Sequence, residues 1–373
     1  MIEQRLIDQK IRKVLKDRSQ KPNIINKIGF YIYIENHLAH LLPIIKHLPK
    51  GSVEFITPEI NGIPKYFDRT DIPVHSSLDL LADSKKFKCV VSLFMVAPSW
   101  FQSLENHFID GKKKLGSHYF KRLAEKNVRM QYSLGAMPLD LKNYMKSYQS
   151  IFVYGPYEEK IYRNLLREKN IYQVGIPKFD NSFSNTMPQI DCLSKLNKKL
   201  ETILWLPTYD SLSSIPKYLL TMSALTRFYN VILKPHPLES SELIEQVKKT
   251  PIILSQFMDS AHYFKWADFV FCDYGGSAFG ALYFNKPIVF LSPEKPEIKM
   301  NTYSSNSPEL LLRQKFLTIT EEKPKDIIKI LKETDFWIKD ANKRSELKSK
   351  FFFENPGASG VKAAKILRVK YLN

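Results

Sequence analysis

The sequence predicts two α/β domains, each built on a parallel, Rossmann-like sheet, with a cleft between them. Short apolar runs of strand length alternate with helical patterns along the chain, which is typical of consecutive βαβ units. The 373 residues are enough for two domains of ordinary size. Hydrophobic periodicity lapses between about residues 176 and 198, where proline, asparagine and serine cluster. We therefore expect the domain boundary in that segment.

The first domain is predicted to cover residues 1–180. Its apolar runs predict strands at residues 27–34, 53–57, 89–95, 128–133 and 150–154. Helical spacing of apolar residues predicts helices over 41–48, 79–83 and 157–168.

The second domain is predicted to cover residues 181–355. Its strands are predicted at 202–206, 231–233, 252–254, 269–272 and 287–291, and its helices at 218–229, 241–248 and 277–284. Residues 356–373 form a last segment, whose helix over about 360–370 is expected to cross back to the first domain.

Residues 2–17 have the pattern of a basic amphipathic helix. Ile2, Leu6, Ile7, Ile11 and Leu15 fall on one face, and lysines and arginines occupy much of the rest. Such a helix can lie on an anionic membrane. The alternative, which the lack of aromatic residues on the apolar face favours, is a helix packed on the protein's own surface.

The formal net charge is +18, and an excess of this size favours polyanionic partners. Nucleic acid, a membrane surface and an anionic substrate are the three candidates, and a lysine-rich coding bias is a fourth explanation. We find no helix-turn-helix, zinc-finger or RNP-like motif, so nucleic acid is the weakest candidate. Three scattered cysteines, a charged N-terminus and the absence of a long apolar run favour a cytoplasmic location.

Polar residues directly follow four predicted strands of the second domain. They occupy residues 206–210, 234–237, 273–277 and 292–294. Because the carboxyl ends of parallel strands meet at one edge of a sheet, where ligands bind, we expect these segments to converge.

The residue types in these segments suit a phosphate-bearing ligand. Lys234 and His236 can neutralise a diphosphate through charge-assisted hydrogen bonds. Gly275 and Gly276 allow the main chain to approach a phosphate, and the N–H groups of the following helix start point toward it. The Ser277 hydroxyl can cap that helix or bind a phosphate oxygen.

Two acidic residues complete the predicted donor site. Glu294 can bind ribose hydroxyls, as acidic residues do in other nucleotide sites, and Asp273 is included by its position. Structural roles fit the same residues. Asp273 can cap a helix, in which case it would repel a phosphate, and Lys234–Pro237 can be a rigid turn.

At these segments the chain resembles the CDP-glycerol glycerophosphotransferase family of teichoic-acid and capsule synthesis, a GT-B-like group. The matching segments are residues 206–210, 233–237, 267–277 and 282–294, with weaker similarity at 174–180 and 355–359. The resemblance covers about residues 128–370. It implies that His236, Ser277 and the Gly275–Ser277 amides hold the donor diphosphate, that Thr208 contacts it, and that neither a metal nor another cofactor is needed.

One position departs from the family pattern. The family has Trp-His-Gly where this chain has Ser133-Leu134-Gly135, and the family histidine is its expected general base. Leu134 cannot take a proton. The candidates for a replacement base are His37, which is our first choice, His40, Glu35 and Asp140.

The predicted function is the transfer of glycerol phosphate, or a related polyol phosphate, from a CDP-activated donor to a hydroxyl of a cell-surface polymer or its lipid-linked precursor. The alternatives are a GT-B glycosyltransferase that uses a UDP- or CMP-sugar and a non-catalytic nucleotide-binding relative. The predicted partners are the nucleotide donor, an anionic polymer or lipid-linked acceptor, and the inner face of the cell membrane, without nucleic acid.

Overall fold

The computed structural model describes residues 2–16, 21–59, 62–94, 98, 101, 115–134, 145, 147–183, 191–255, 260–293, 307–353 and 356–372. Its contacts divide the chain into two compact units. The first unit comprises Met1–Tyr132, Lys142–Phe183 and Phe353–Asn373, and the second comprises Ser133–Leu141 and Ser184–Phe352.

The first unit contains a seven-stranded sheet in the order β3-β2-β1-β4-β5-β6-β7. All of its neighbouring strands are parallel. The strands are β1 (Asn23–Tyr31), β2 (Val53–Thr57), β3 (Val74–Ser76), β4 (Lys85–Ser92), β5 (Ala124–Met130), β6 (Ser150–Val153) and β7 (Asn170–Gln173). The strand order reverses between β1 and β4, so the carboxyl ends of these two strands mark the topological switch point of the sheet, where ligands bind in such folds.

Helices cover the faces of this sheet. They are α1 (Ile2–Lys16), α2 (Asn36–Ile45), α3 (Ser77–Ala82), α4 (Leu115–Leu123) and α5 (Pro156–Leu165). Strand residues such as Ile28, Phe30 and Val91 are fully buried, because a parallel sheet is covered on both faces. This double burial explains why the central strands are continuous apolar runs in the sequence.

Helix α1 packs on the body of the first unit. Ile7 and Val14 are buried in its core, and Ile11 packs against the same cluster. On the flank of the helix, the Lys10 ammonium lies 2.5 Å from the Asp79 carboxylate of α3. The apolar face of α1 packs inside the protein at Ile7 and Ile11, as the second of the two alternatives for this helix predicts, whereas Leu6 on that face is exposed.

The second unit contains a six-stranded parallel sheet in the order β10-β9-β8-β11-β12-β13. The strands are β8 (Thr202–Leu206), β9 (Asn230–Leu233), β10 (Ile253–Leu254), β11 (Phe269–Cys272), β12 (Ile288–Leu291) and β13 (Leu317–Ile319). The order reverses between β8 and β11, which places the switch point of this sheet at their carboxyl ends.

The helices of the second unit are α6 (Ile215–Leu225), α7 (Ser241–Lys248), α8 (Ser277–Tyr283), α9 (Pro308–Arg313), α10 (Pro324–Leu331) and α11 (Thr334–Phe351). Its core centres on Trp205, which is fully buried. The Trp205 indole N–H donates to Ser214 Oγ over 3.0 Å, so burial of this large ring leaves no polar atom unsatisfied.

The last helix, α12 (Ser359–Leu367), belongs to the first unit and packs against α2. Asp180 accepts hydrogen bonds from the N–H groups of Ser359 (3.2 Å) and Gly360 (2.6 Å) at the start of this helix. A Cβ atom on Gly360 would collide with the carbonyl group of Pro43 in α2. The two weaker family-like segments, at 174–180 and 355–359, thus meet in one interface.

Several predicted boundaries and elements differ from the structure. Strands β1 and β4 begin four residues earlier than predicted, because asparagine or lysine interrupts the apolar run in their first residues. The sequence patterns missed β3, β7, β13 and the 18-residue helix α11. The missed strands have three or four residues each, too few for a periodic pattern to be recognised.

No helix in the described ranges is long and apolar enough to span a membrane. All three cysteines are buried and free. Burial raises the pKa values of the Cys89 and Cys272 thiols and keeps them protonated, as expected for core residues.

We predict that Gly360→Ala lowers the free energy of unfolding by about 1–3 kcal/mol, because the new methyl group overpacks the interface between α12 and α2. Val361→Ala is the matched control, since Val361 is exposed on the same helix and its truncation should change stability by no more than about 0.5 kcal/mol. Urea denaturation measures both. Equal stability of the two variants would contradict this packing.

Candidate donor and acceptor sites

The switch point of the second unit is held together by one buried carboxylate. Asp273 follows β11 and is 1% exposed. Its Oδ1 accepts hydrogen bonds from the N–H groups of Thr208, in the loop after β8, and Tyr274, each over 2.7 Å. Its Oδ2 accepts from the N–H of Ser214, just before α6, over 2.7 Å. Asp273 therefore joins the loops that follow the two strands at the switch point.

This arrangement corrects the prediction that Asp273 contacts the donor. Both of its carboxylate oxygens are committed to backbone N–H groups, and the residue is buried. Burial raises the pKa of Asp273 to about 7, against the opposing effect of the N–H groups of Ser214 and Thr208. Asp273 does not cap the helix that follows it, since that helix has no side-chain cap; its role is to join loops.

Helix α9 supports the same segment from its other side. Arg313 donates to the carbonyl oxygen of Asp273 over 2.7 Å and lies over the Tyr274 ring, 4.2 Å from its centroid. Glu309, one helical turn earlier, accepts a hydrogen bond from the Gly275 N–H over 2.7 Å. Neither residue was predicted from the sequence. Their i, i+4 spacing predicts only that they share one face of a helix, and it does not predict a contact with the residues after β11.

Gly275 has a backbone conformation that requires glycine. Its φ is +110°, a region that residues with a Cβ atom rarely adopt. Since its N–H is bonded to Glu309, Gly275 shapes the turn and does not offer an N–H group to a phosphate. This corrects one part of the amide set predicted over Gly275–Ser277.

The other two members of that set, Gly276 and Ser277, begin helix α8. Gly276 is the N-cap residue, and no side chain caps the helix. Within the described residues, the N–H groups of Gly276 and Ser277 have no hydrogen-bond acceptor, as expected for the first turn of a helix. Such groups favour an anion.

Close packing explains the second glycine. A Cβ atom on Gly276 would collide with Ser133 Oγ, which is grouped with the second unit. Next to it, Leu134 is 2% exposed. Ser133 thus lies beside the start of α8, and Leu134, where the resemblance implies a histidine, has a buried side chain.

His236 follows β9 and is neutral, with a defined tautomer. The Leu238 N–H donates to its Nδ1 over 3.2 Å, so the ring proton lies on Nε2. Burial and, to a smaller extent, the Lys234 ammonium lower the pKa of His236 to about 4. The ring stacks on Tyr209, with centroids 4.5 Å apart. His236 therefore offers one N–H donor in a fixed orientation.

Three predicted donor residues remain, of which two lie in loops at the same sheet edge and one lies outside the described residues. Thr208 is half-buried in the loop after β8, and Lys234 is half-buried after β9, where its ammonium donates to the Pro235 carbonyl over 3.3 Å. Glu294 lies outside the described residues. The structure thus brings Thr208, Lys234, His236, Gly276 and Ser277 to one edge of the second sheet, since they follow neighbouring parallel strands.

In the first unit, His37 lies just after the carboxyl end of β1, at the switch point of that sheet. It is buried at 1% exposure, between Phe94 and Tyr132. The Tyr33 N–H donates to its Nδ1 over 3.3 Å. Burial lowers the pKa of His37 to about 4, although the Tyr31 backbone favours the charged ring.

These facts make His37 a poor general base. A base must take up a proton, and burial disfavours the charged form of this ring. His40 stacks on Tyr132, with ring centroids 4.7 Å apart. Burial, reinforced by Lys178, lowers the pKa of His40 well below its usual value. Both histidines are packed, neutral residues.

Glu35 has the opposite character. Its side chain is 55% exposed, and its carboxylate lies 3.2 Å from Arg69. It precedes α2 at the same end of β1. The fourth candidate, Asp140, lies outside the described residues. In the described ranges no group of three histidine, cysteine, aspartate or glutamate side chains is placed to hold a metal ion.

Comparison with known proteins gives the family. The model of the CDP-glycerol:poly(glycerophosphate) glycerophosphotransferase family matches residues 120–361, which is more than half of the chain. The chain belongs to this family. A search of curated proteins finds no match.

Three solved structures share the fold. The wall teichoic acid polymerase TagF is 14% identical, with a TM-score of 0.64, covering 99% of this chain and 95% of TagF. MnaA of S. aureus, solved with UDP, is 12% identical (TM-score 0.57, 94% and 98% covered). Anabaena HepE, solved with UDP and glucose, is 10% identical (TM-score 0.51, 92% and 98% covered). The predicted GT-B-like α/β fold with two Rossmann-like units is confirmed.

We predict that Asp273→Asn lowers the free energy of unfolding of this glycerophosphotransferase by about 1–3 kcal/mol, because a buried backbone N–H loses its acceptor. The variant also tests the carboxyl pKa. Since the folded pKa is raised above the usual value of 3.8 to about 7, the associated stability is full below pH 4 and is lost as the pH rises through 7.

The measurement is urea denaturation of both proteins at about pH 5.5 and about pH 8. The wild-type protein should exceed Asp273→Asn by more at the lower pH. A difference that does not depend on pH would show that the Asp273 carboxyl does not titrate in this range.

Proposed function

We propose that the second unit binds the diphosphate of CDP-glycerol at its switch point and that the chain transfers glycerol phosphate to the terminal hydroxyl of a glycerophosphate polymer. The family assignment supports the reaction. One observation supports the place: Asp273 joins the loop after β8 to the turn that precedes α8, next to the Gly276 and Ser277 N–H groups, which have no acceptor within the described residues. A pre-built set of donors suits an anion, because little ordering is needed when it binds.

His236 and the start of α8 would act on the leaving group. The acceptor hydroxyl attacks the phosphorus that carries glycerol, a new P–O bond forms, and the bond to the other phosphate breaks. CMP leaves with the electron pair of that bond, and the acceptor proton goes to a base. The His236 Nε2–H and the Gly276 and Ser277 N–H groups would stabilise the negative charge on CMP, with Lys234 and Thr208 at the same sheet edge.

We propose that these groups replace a metal ion and that no cofactor takes part. A helix start and neutral or cationic donors can offset phosphate charge. Turnover of purified protein in EDTA should equal turnover without it. Loss of activity that Mg²⁺ or Mn²⁺ restores would contradict the proposal.

We propose Glu35 as the base that takes the acceptor proton. It is exposed, it is an acceptor, and it follows β1 at the switch point of the first sheet. His37 and His40 lack these properties, because each is buried and neutral. Their role would be to hold the packing around Tyr132.

We also propose that contact with the inner membrane face is electrostatic. Ile7, Ile11 and Val14 of α1 pack in the core, whereas Arg5 and Arg12 are exposed, and the net charge is +18. Binding to anionic vesicles should fall steeply with salt. Salt-independent binding would indicate insertion of apolar groups instead.

His236→Phe should weaken CDP-glycerol binding while it preserves stability, since phenylalanine retains the stacking on Tyr209 and removes the Nε2 donor. We expect a loss of at least about tenfold in affinity, the effect of one charge-assisted hydrogen bond. Calorimetry with CDP-glycerol measures it. His47→Phe, at an exposed histidine of the first unit, is the control. Unchanged affinity of His236→Phe would remove His236 from the donor site.

Glu35→Gln should reduce kcat by about 10²–10⁴-fold, the usual contribution of a general base, with CDP-glycerol affinity unchanged. Its exposed ion pair with Arg69 contributes little to stability, so the variant should fold normally. Release of CMP is the assay, and Glu346→Gln, at another exposed glutamate, is the control. If Glu35→Gln retains full activity and Asp140→Asn loses it, Asp140 is the base and our assignment is wrong.

A further inference from the structure

A cavity of about 250 Å³ lies in the first unit, at the edge of the sheet opposite to His37. Its lining includes Lys126, Gln149, Lys169, Asn170, Lys370 and Tyr371. Gln149 and Lys169 directly precede β6 and β7, so the cavity lies at the amino ends of these strands. The residues after α12 close it. None of the residues assigned above to donor binding or proton transfer lines it.

The floor of the cavity is fixed by buried hydrogen bonds. The Tyr371 and Ser150 hydroxyl oxygens are 2.6 Å apart. Gln149 Oε1 accepts from the Asn127 N–H over 2.6 Å, and Gln149 Nε2 donates to the Ser147 carbonyl over 3.4 Å. These side chains are therefore already ordered, and binding of a ligand would not carry the free-energy cost of ordering them.

The charge of the lining favours an anion. Three lysines and one acidic residue, Glu168, border the cavity. Among the described residues, neither Lys126 nor Lys370 has a carboxylate partner within ion-pair distance. Ammonium groups gathered around one cavity repel each other unless an anion neutralises them. A phosphate oxygen is the acceptor that lysines bind most readily in such clusters.

The size of the cavity limits the ligand. Pockets for drug-sized molecules usually span roughly 300–1,000 Å³, so about 250 Å³ suits a small phosphate ester better than an entire nucleotide donor. Asn170 and Tyr172 in the lining add polar groups that can bind hydroxyls. A glycerol phosphate unit combines one anionic phosphate with hydroxyl or ester oxygens on a three-carbon stem.

We propose that this cavity binds a glycerophosphate unit of the acceptor polymer, away from the end that reacts. The choice of polymer rests on the function proposed above, since a chain that extends poly(glycerophosphate) meets this repeat at every phosphate. The cavity would hold the polymer between successive additions and raise the local concentration of its free end.

The experiment is calorimetry with a synthetic glycerophosphate oligomer of several units, in parallel with CDP-glycerol. Lys126→Gln/Lys370→Gln should weaken oligomer binding about tenfold or more, equivalent to about 1.4 kcal/mol, with CDP-glycerol affinity unchanged. Lys332→Gln/Lys339→Gln removes two exposed lysines of the second unit and controls for net charge. Glu168→Gln should strengthen oligomer binding, a gain that misfolding cannot produce.

The outcomes separate this inference from the proposed function. If the wild-type protein neither binds CDP-glycerol nor releases CMP, the proposed function fails, while the oligomer titrations still decide the cavity. If CDP-glycerol turns over normally and the two lysine pairs affect oligomer binding equally, the cavity assignment is overturned. It is also overturned if only inorganic phosphate, or only phosphatidylglycerol vesicles, binds in a way that depends on Lys126 and Lys370.

Discussion

The proposed donor site depends on one buried carboxylate that must satisfy three backbone N–H groups. Asp273 receives them from Thr208, Ser214 and Tyr274, which belong to the two loops at the reversal of strand order. A buried backbone N–H without an acceptor costs roughly as much as a lost hydrogen bond. Three such groups on one side chain therefore fix both loops relative to the sheet. The positions of Thr208 and of the helix start at Gly276 follow from that constraint.

Asp273 explains why an acidic residue can sit in a site for an anion. Its charge is turned inward and shared among N–H dipoles, and Arg313 lies against its carbonyl oxygen. Glu309 has a similar role at Gly275. The groups left for a phosphate are then the first N–H groups of α8 and the Nε2–H of His236. These are neutral donors in fixed orientations, which suits the stabilisation of charge that develops as a leaving group departs.

Sequence patterns predicted the buried strands, but not the roles of side chains whose partners are distant in the sequence. The central strands were predictable because strands covered on both faces are apolar throughout, as at Phe269–Cys272. The placement of His236 and Ser277 after buried strands was predictable, because each follows an apolar run. The role of Asp273 was not, because its partners lie 59 and 65 residues away. The burial of His37 was not predictable either, since it involves Phe94 and Tyr132, which are distant in the sequence.

In the proposed function, the N–H groups at the start of α8 bind the donor diphosphate. Amide hydrogen exchange of residues 273–280, with and without CDP-glycerol, measures this binding, because exchange of an N–H slows when the group acquires an acceptor. We predict slower exchange at Gly276 and Ser277 in the complex, and no change at Gly275, which is already bonded to Glu309. Saturating CDP-glycerol that leaves exchange at Gly276 and Ser277 unchanged would contradict it.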